Sequence, residues 1–279
     1  MDAGSGLPRT RSGVRHDKRW RYDGGMSAAT QHITILTGAS RGMGLAMAEQ
    51  LLAAGHDLLC ISRKQNDALG LRAAEAGRLC EQWPQDLSRP EVAASKLEAW
   101  LADRDAGTLA SVTLINNAGM LPRIAPLAAI PAADLADAMR VDLEAPLLLT
   151  SAFLRGTQSW NAVRKVLNIS SGLGRHAMAS QAPYCAAKAG MDHFTRCVAL
   201  EEADRPNGAK VCSLAPGVID TDMQLQLRSA DASQFPDIGN FTGLKDKGAL
   251  ASPAQAAARL LAFLARPDFG SNPVADVRD

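Results

Sequence analysis

The chain has 279 residues, 47% of them hydrophobic and 21% charged, close to the globular average, so it can bury a sizeable core and disorder of the whole chain is excluded. No apolar run reaches the roughly 18 residues of a membrane span. Thirty basic against 29 acidic side chains leave a formal net charge of +1, which provides no global attraction to nucleic acid or anionic lipid.

The length suits one α/β domain of about 250 residues with a remainder, and that remainder lies at the start. Residues 1–25 hold Arg9, Arg11, Arg15, Lys18, Arg19 and Arg21 against Asp2, Asp17 and Asp23, a net +3 that leaves the other residues at −2. The segment has Gly, Ser and Pro, no apolar stretch for a signal peptide and no apolar periodicity, so a disordered basic extension is expected over 1–28 and a folded domain over 29–279. An upstream start or a cloning remnant fits this, with Met26 the functional start. A basic arm for nucleic acid is the alternative. Cys60, Cys80, Cys185, Cys197 and Cys212 stand singly, with no Cys-x-x-Cys and no His at metal-ligand spacing. They read as reduced thiols of a cytoplasmic protein, and no metal site is expected.

From Gln31 onward, strands and helices alternate. Ile33–Thr37 is a short β-branched run, a glycine-rich turn follows, and Met43, Met47, Leu51 and Ala54 then recur at helical spacing until Gly55 stops them. Further strands are expected at Leu58–Ile61, ahead of Asp86, at Val112–Ile115, at Val163–Ser170 and at Val211–Leu214. Helices are expected at about 90–105, 131–156 and 181–203. This order implies a single domain built on a doubly wound parallel sheet covered on both faces, the Rossmann fold.

Ligands of such a sheet sit outside the carboxyl ends of its strands. The first end reads Thr37-Gly38-Ala39-Ser40-Arg41-Gly42-Met43-Gly44. Its glycines allow a tight turn and close approach to a pyrophosphate, and the helix behind it offers free N–H groups; an ordinary glycine turn is the alternative. The second end, Ser62-Arg63-Lys64, lacks the acid that would bind the ribose of NAD, because Asp57 stands at the wrong end of the strand. Arg63 with Arg41 would instead pair with the 2′-phosphate of NADP, unless both are solvated surface residues. The fourth strand ends in Asn116-Asn117-Ala118-Gly119 and the fifth in Asn168-Ile169-Ser170-Ser171. Beyond them Tyr184 and Lys188, four residues apart, share one helical face.

Taken together, Thr37–Gly44, Asn116–Gly119, Ser171 thirteen residues before Tyr184, Lys188 and Pro216-Gly217 resemble the short-chain dehydrogenase/reductase family in order and spacing, from about Ile33 to the end. Within it, Pro216–Gln224, Ser252-Pro253 and Asp276–Asp279 are most similar to sepiapterin reductases and bacterial benzil reductases. The resemblance implies NADP(H) as cofactor, a small-molecule carbonyl substrate and hydride transfer with Tyr184 as proton donor. Lys188, if about 4 Å from the phenol, would lower its pKa by about three units, towards neutrality. Ser171 would polarise the carbonyl. Ser170 is the weaker candidate, because strand alternation points it elsewhere.

The resemblance also assigns cofactor contacts to Asp86, Asn116, Ala118, Pro216, Gly217, Val218 and Thr221, beside the glycine loop, Arg63, Tyr184 and Lys188. Helix capping is the competing role for Asp86. One position departs from the family, where an asparagine supports a water chain to the lysine; here it is Asp142, which keeps the shape but loses the amide donor. His176 and His193 read as structural or surface residues. The weakly periodic stretch at about 222–251 matches the family's substrate lid, in which Met223, Phe235 and Phe241 form either an apolar wall or a minor core. A homodimer or homotetramer through the helices at 131–156 and 181–203 is implied. Two other functions stay open. A 3-oxoacyl-thioester reductase would need Arg228, Lys245 and Lys247 to dock an acidic carrier, and a catalytically silent dinucleotide-binding scaffold would need none of the chemistry.

Overall fold

The computed structural model describes residues 30–279, so the expected basic extension and the start at Met26 lie outside the described residues. Seven parallel strands, β1 (Gln31–Thr37), β2 (Asp57–Ser62), β3 (Cys80–Pro84), β4 (Leu109–Asn116), β5 (Val163–Ile169), β6 (Lys210–Ala215) and β7 (Val274–Asp276), form one sheet in the order β3-β2-β1-β4-β5-β6-β7. The chain reverses its winding between β1 and β4, so the turns after these strands diverge and open a crevice at their carboxyl ends. Every residue of β2 is buried, as expected where helices cover both faces of a parallel sheet.

Alternation along the strands sorts the core into two layers. Ile33, Ile35, Leu59, Ile61, Val112 and Leu114 pack on one face against α3 (Pro90–Ala102) and α5 (Ala145–Gly156), through Leu97, Trp100, Leu149 and Phe153. Leu36, Leu58, Cys60, Ile115, Leu167 and Leu214 pack on the other against α1 (Gly42–Ala53) and α9 (Pro253–Ala265), through Met47, Leu51, Leu260 and Leu264. No described helix is long and apolar enough to cross a membrane.

The expected helix at 131–156 is one continuous rod made of α4 (Ala132–Met139), a π-helical turn at Arg140–Glu144, and α5. Such wide turns are rare and cluster at functional sites, and this one carries Asp142. Five further elements escaped periodicity: α2 (Asp67–Glu75), α9, β7, and the stretch at about 222–251, which folds as α7 (Asp222–Arg228) and α8 (Ile238–Asp246) rather than as irregular chain. The cysteines are not all solitary, since β2 and β3 place the free thiols of Cys60 and Cys80 near enough to shift each other's pKa, Cys60 upward and Cys80 downward.

Candidate active site

The glycine loop is shaped by two steric demands. Gly38 adopts φ +71°, the left-handed region that favours glycine. A methyl group at Gly44 would overlap the Gly38 carbonyl and stand 2.5 Å from Asn117 Nδ2, so only glycine lets α1 start this close to the loop. Arg41 at the N-cap makes no side-chain cap bond, and α1 has no acid in its first turn. The leading N–H groups and the positive end of the helix dipole therefore lie free for an anion, and these residues fit a dinucleotide pyrophosphate. Ser40 is braced from behind, its carbonyl accepting from Asn66 Nδ2 at 3.1 Å, and Met43 packs on the second core layer.

The turn after β4 is stitched to this loop by a residue that sequence reasoning passed over. Thr37 Oγ1 accepts the N–H groups of Asn117 and Ala118, each at 2.9 Å, while Asn117 Nδ2 donates to the Thr37 and Gly38 carbonyls at 2.9 and 3.3 Å. Asn116, still in the strand, has its side chain 2% exposed and bonded to Thr150 Oγ1 and Asn168 Oδ1. Alternation alone divides the labour of the two asparagines.

The cations expected at the adenosine end stand differently from one another. Arg63 is exposed just beyond β2 and makes no ion pair with the described residues. Arg41 is paired with Asp222 at the start of α7. Asp86 is exposed ahead of α3, and its Oδ1 accepts the Ser88 N–H at 3.0 Å, a local turn role. Pro216, Gly217 and Val218 form the turn after β6. The Val218 carbonyl accepts from Ala251 N–H at 3.0 Å, and Thr221 heads α7 with no side-chain cap bond.

α6 (Ala182–Ala203) presents Tyr184, Lys188 and Asp192 on one buried face at successive spacings of four. Ser171, one residue past β5, accepts the Leu173 N–H at 3.2 Å, and its side chain stands near enough to Tyr184 to draw the phenol's pKa down. Two hydroxyls in mutual reach can both touch one substrate oxygen. Ser170 instead donates to Asp192 Oδ1 at 2.6 Å, on the side that alternation anticipates. Asp192, unnoticed in the sequence, also accepts from Ser213 Oγ at 2.6 Å and Arg175 Nε at 3.2 Å, while Arg175 Nη2 reaches the Ala275 carbonyl of β7. It thereby ties α6, β6 and β7 together beneath the site. His176 and His193 are exposed.

Lys188 is 3% exposed; its Nζ donates to the Ile169 carbonyl at 3.0 Å, lies 3.9 Å from Asp142 Oδ1, and stands 5.6 Å from the Tyr184 ring centre. Burial pushes the ammonium down, while Asp142 and Asp192 hold it up. Asp142 Oδ1 accepts the Met120 N–H at 3.0 Å, and Oδ2 is buried with no partner among the described residues. A methyl at Gly119 would meet Asp142 Oδ1 at 2.9 Å and Lys188 Nζ at 3.8 Å, so this glycine makes room for the ion pair.

One expectation needs correction. The Tyr184 phenol is not drawn towards neutrality but raised above its ordinary value, by burial first and by the Asp142 carboxylate second, with the Ser171 bond opposing. The physical reason is first that the phenol is buried, and second that a carboxylate, Asp142, stands beside Lys188 in the same site.

Over the site, Tyr184 packs in an apolar cluster with Leu121, Ile124, Leu227, Phe235 and Phe241, joined by partly buried Met223. Phe235 is fully buried and stacks on Phe241 at 5.5 Å between ring centres, so both serve as the minor core of the 222–251 stretch. Asp220 pairs with Arg228 of α7 at 3.6 Å and Lys245 of α8 at 2.5 Å, tying the two helices to the turn ahead of them.

Residues 32–232 match the family model described as short chain dehydrogenase. The chain is 33% identical over 240 residues to benzil reductase ((S)-benzoin forming) of Bacillus cereus, covering 86% of this chain and 96% of that protein. It is 29% identical over 262 residues to sepiapterin reductase of Xenopus tropicalis, covering 88% and 96%. Among solved structures, a putative 2-deoxy-D-gluconate 3-dehydrogenase from Agrobacterium tumefaciens with bound NADP superposes with a TM-score of 0.72 at 26% identity, covering 90% of this chain and 96% of that one. A parallel seven-stranded sheet, an uncapped glycine loop at its crevice and a serine, tyrosine and lysine gathered beside it thus accompany likeness along nearly the whole described chain, and this protein belongs to the short-chain dehydrogenase/reductase family of oxidoreductases.

Proposed function

We propose that the chain is an NADPH-dependent carbonyl reductase whose preferred substrates carry a second carbonyl or an aromatic group beside the reacting carbon, as 1,2-diketones and pterin side chains do. The observation that carries this reading is the convergence of Ser171, Tyr184 and Lys188 beneath an apolar lid. The names of the relatives, benzil reductase and sepiapterin reductase, support the substrate class.

When bound, the reduced nicotinamide supplies the hydride for the carbonyl carbon. The chain provides the rest. Ser171 donates a hydrogen bond to the carbonyl oxygen, fixing and polarising it. Tyr184 delivers its phenolic proton to the oxygen as negative charge develops there. Lys188 stabilises the resulting phenolate, which a solvent proton refills. The lid cluster, with Phe235 and Phe241 as its packed core, excludes water, and the partly buried Met223 offers apolar contact to a bulky substrate. Arg63, exposed and without an ion pair among the described residues, favours the 2′-phosphate of NADPH.

A thioester reductase that docks an acidic carrier is less well supported, because Arg228 and Lys245 are taken up by Asp220. The scaffold reading leaves the assembled Ser171, Tyr184 and Lys188 without a use. The proposal includes association through α5 and α6, whose outer faces form a groove of about 380 Å³ lined by Leu147, Leu154, Phe194 and Val198. NADPH oxidation with benzil, sepiapterin and acetoacetyl thioesters, compared by kcat/KM, tests the substrate class. The first two should lead, and a tenfold advantage for the thioester would overturn the class while leaving reduction itself standing.

A further inference from the structure

Asp142 lies in the π-helical turn with no solvent exposure. Its charge has two compensating contacts, the Met120 N–H at 3.0 Å and the Lys188 ammonium at 3.9 Å, and Oδ2 has no partner among the described residues. A buried carboxylate with so few donors draws strongly on the nearest cation, and here that cation is the one placed to stabilise the Tyr184 phenolate. The groups facing Tyr184 are few. Lys188 and Cys185 come from α6, Ser171 from the turn after β5 and Asp142 from the π turn, while the lid contributes Leu227, Phe235 and Phe241, which are apolar. Asp192, the other acid acting on Lys188, is already engaged by Ser170, Ser213 and Arg175. Asp142 is therefore the group whose charge most directly opposes loss of the Tyr184 proton.

We propose that Asp142 is a positioning residue that sets the upper pH limit of carbonyl reduction: by taking up the field of Lys188 it keeps Tyr184 in its proton-donating form well above neutral pH. This rests on the reading of Tyr184 as the proton donor. Each turnover moves a hydride to the carbonyl carbon and the Tyr184 proton to its oxygen, and solvent returns a proton to the phenolate. The carboxylate alters none of these transfers and leaves the overall equilibrium unchanged. It shifts the pH at which the donor is loaded, at the cost of a weaker acid in each transfer.

The chain has only two tyrosines, Tyr22 and Tyr184, so an ultraviolet tyrosinate titration of the cofactor-free full chain, with Tyr184→Phe subtracted, reads the site group directly. In the parent protein Tyr184 should titrate above the ordinary phenol value. Asp142→Asn, which keeps the shape and the acceptor for Met120 N–H, should lower that value by about one unit or more. The basic limb of kcat/KM for reduction should fall in pH by the same amount. Tyr184 titrating near neutrality in the parent, which needs no variant to fold, would overturn the proposal, as would an unmoved titration in a folded Asp142→Asn. Loss of all reductase activity with the titration shift intact would count against the reaction assigned and not against the role of Asp142.

Discussion

At the scale of single residues, the site separates groups that do chemistry from groups that tune it. Tyr184→Phe removes only the transferable proton, so turnover should fall about 10²-fold or more while cofactor binding stays nearly intact. Lys188→Met should damage both, since the family resemblance assigns the ammonium a cofactor contact as well. Residual turnover in Tyr184→Phe close to the parent's would move the donor role to another group. Asp142 and His56 impose opposite dependences of stability on pH. Burial lifts the Asp142 carboxyl from 3.8 to about 6, so the fold prefers it protonated and loses on the order of 3 kcal/mol as pH rises through that window. Burial, followed by the neighbouring His32, lowers His56 from 6.5 to about 4, so the fold prefers it neutral and gains stability as pH rises from about 4 to 6.5. Asp142→Asn should therefore steepen the climb of Tm between pH 4 and 6, and His56→Gln should flatten or invert it. Tm curves of both variants that run parallel to the parent's would refute this pairing.

At the scale of elements, the segments that read clearly are those whose pattern is local. β1, α1 and α6 follow from β-branched runs and four-residue spacing, and the rule that ligands sit at strand ends led directly to the glycine loop. α9 carried a legible signal in Ser252 and Gln255, which form a reciprocal capping box, but its alanine-rich face blurred the apolar stripe. β7 has three residues, too few for periodicity, and owes its strand to pairing with β6. The π turn has no sequence mark that distinguishes it from ordinary helix. The glycine loop gives the sharpest element-level test. Gly44→Ala forces a methyl into the Gly38 carbonyl and Asn117, and overpacking of this kind costs about 1–3 kcal/mol. Calorimetric titration should show cofactor affinity reduced tenfold or more alongside a lower Tm. An alanine variant that binds as the parent does would show that the loop relaxes freely.

At the scale of the molecule, two properties depend on surfaces that no single element holds. The proposed choice of NADPH would rest on the cations at the carboxyl ends of β1 and β2. Arg41 is engaged by Asp222, which puts the greater share on Arg63. A charge-assisted bond of about 1.5–3 kcal/mol supports at least a tenfold preference for NADPH over NADH. Arg63→Asp should erase or invert the kcat/KM ratio, and equal efficiency with both cofactors in the parent would defeat the assignment. The proposed association would use the outer faces of α5 and α6, where Leu147 and Leu200 are 40% and 75% exposed. Replacing both by Asp should yield monomers in sedimentation, and a parent already monomeric at micromolar concentration would remove the proposed interface.

Short-range pattern along the chain encodes an alternating α/β order, a glycine turn behind the first strand, and a tyrosine and lysine on one helical face. Each is a property of one segment, so each survives without knowledge of its neighbours. Tertiary structure alone decided that Asn117 and not Asn116 braces the glycine loop, that Asp192 underpins α6, that Phe235 and Phe241 fill the lid instead of lining it, and that Tyr184 is a weaker acid than its spacing from Lys188 suggests. Those outcomes depend on burial and on charges brought together from residues 142, 171, 184 and 188. Desolvation and Coulomb fields act through space, and linear spacing carries neither.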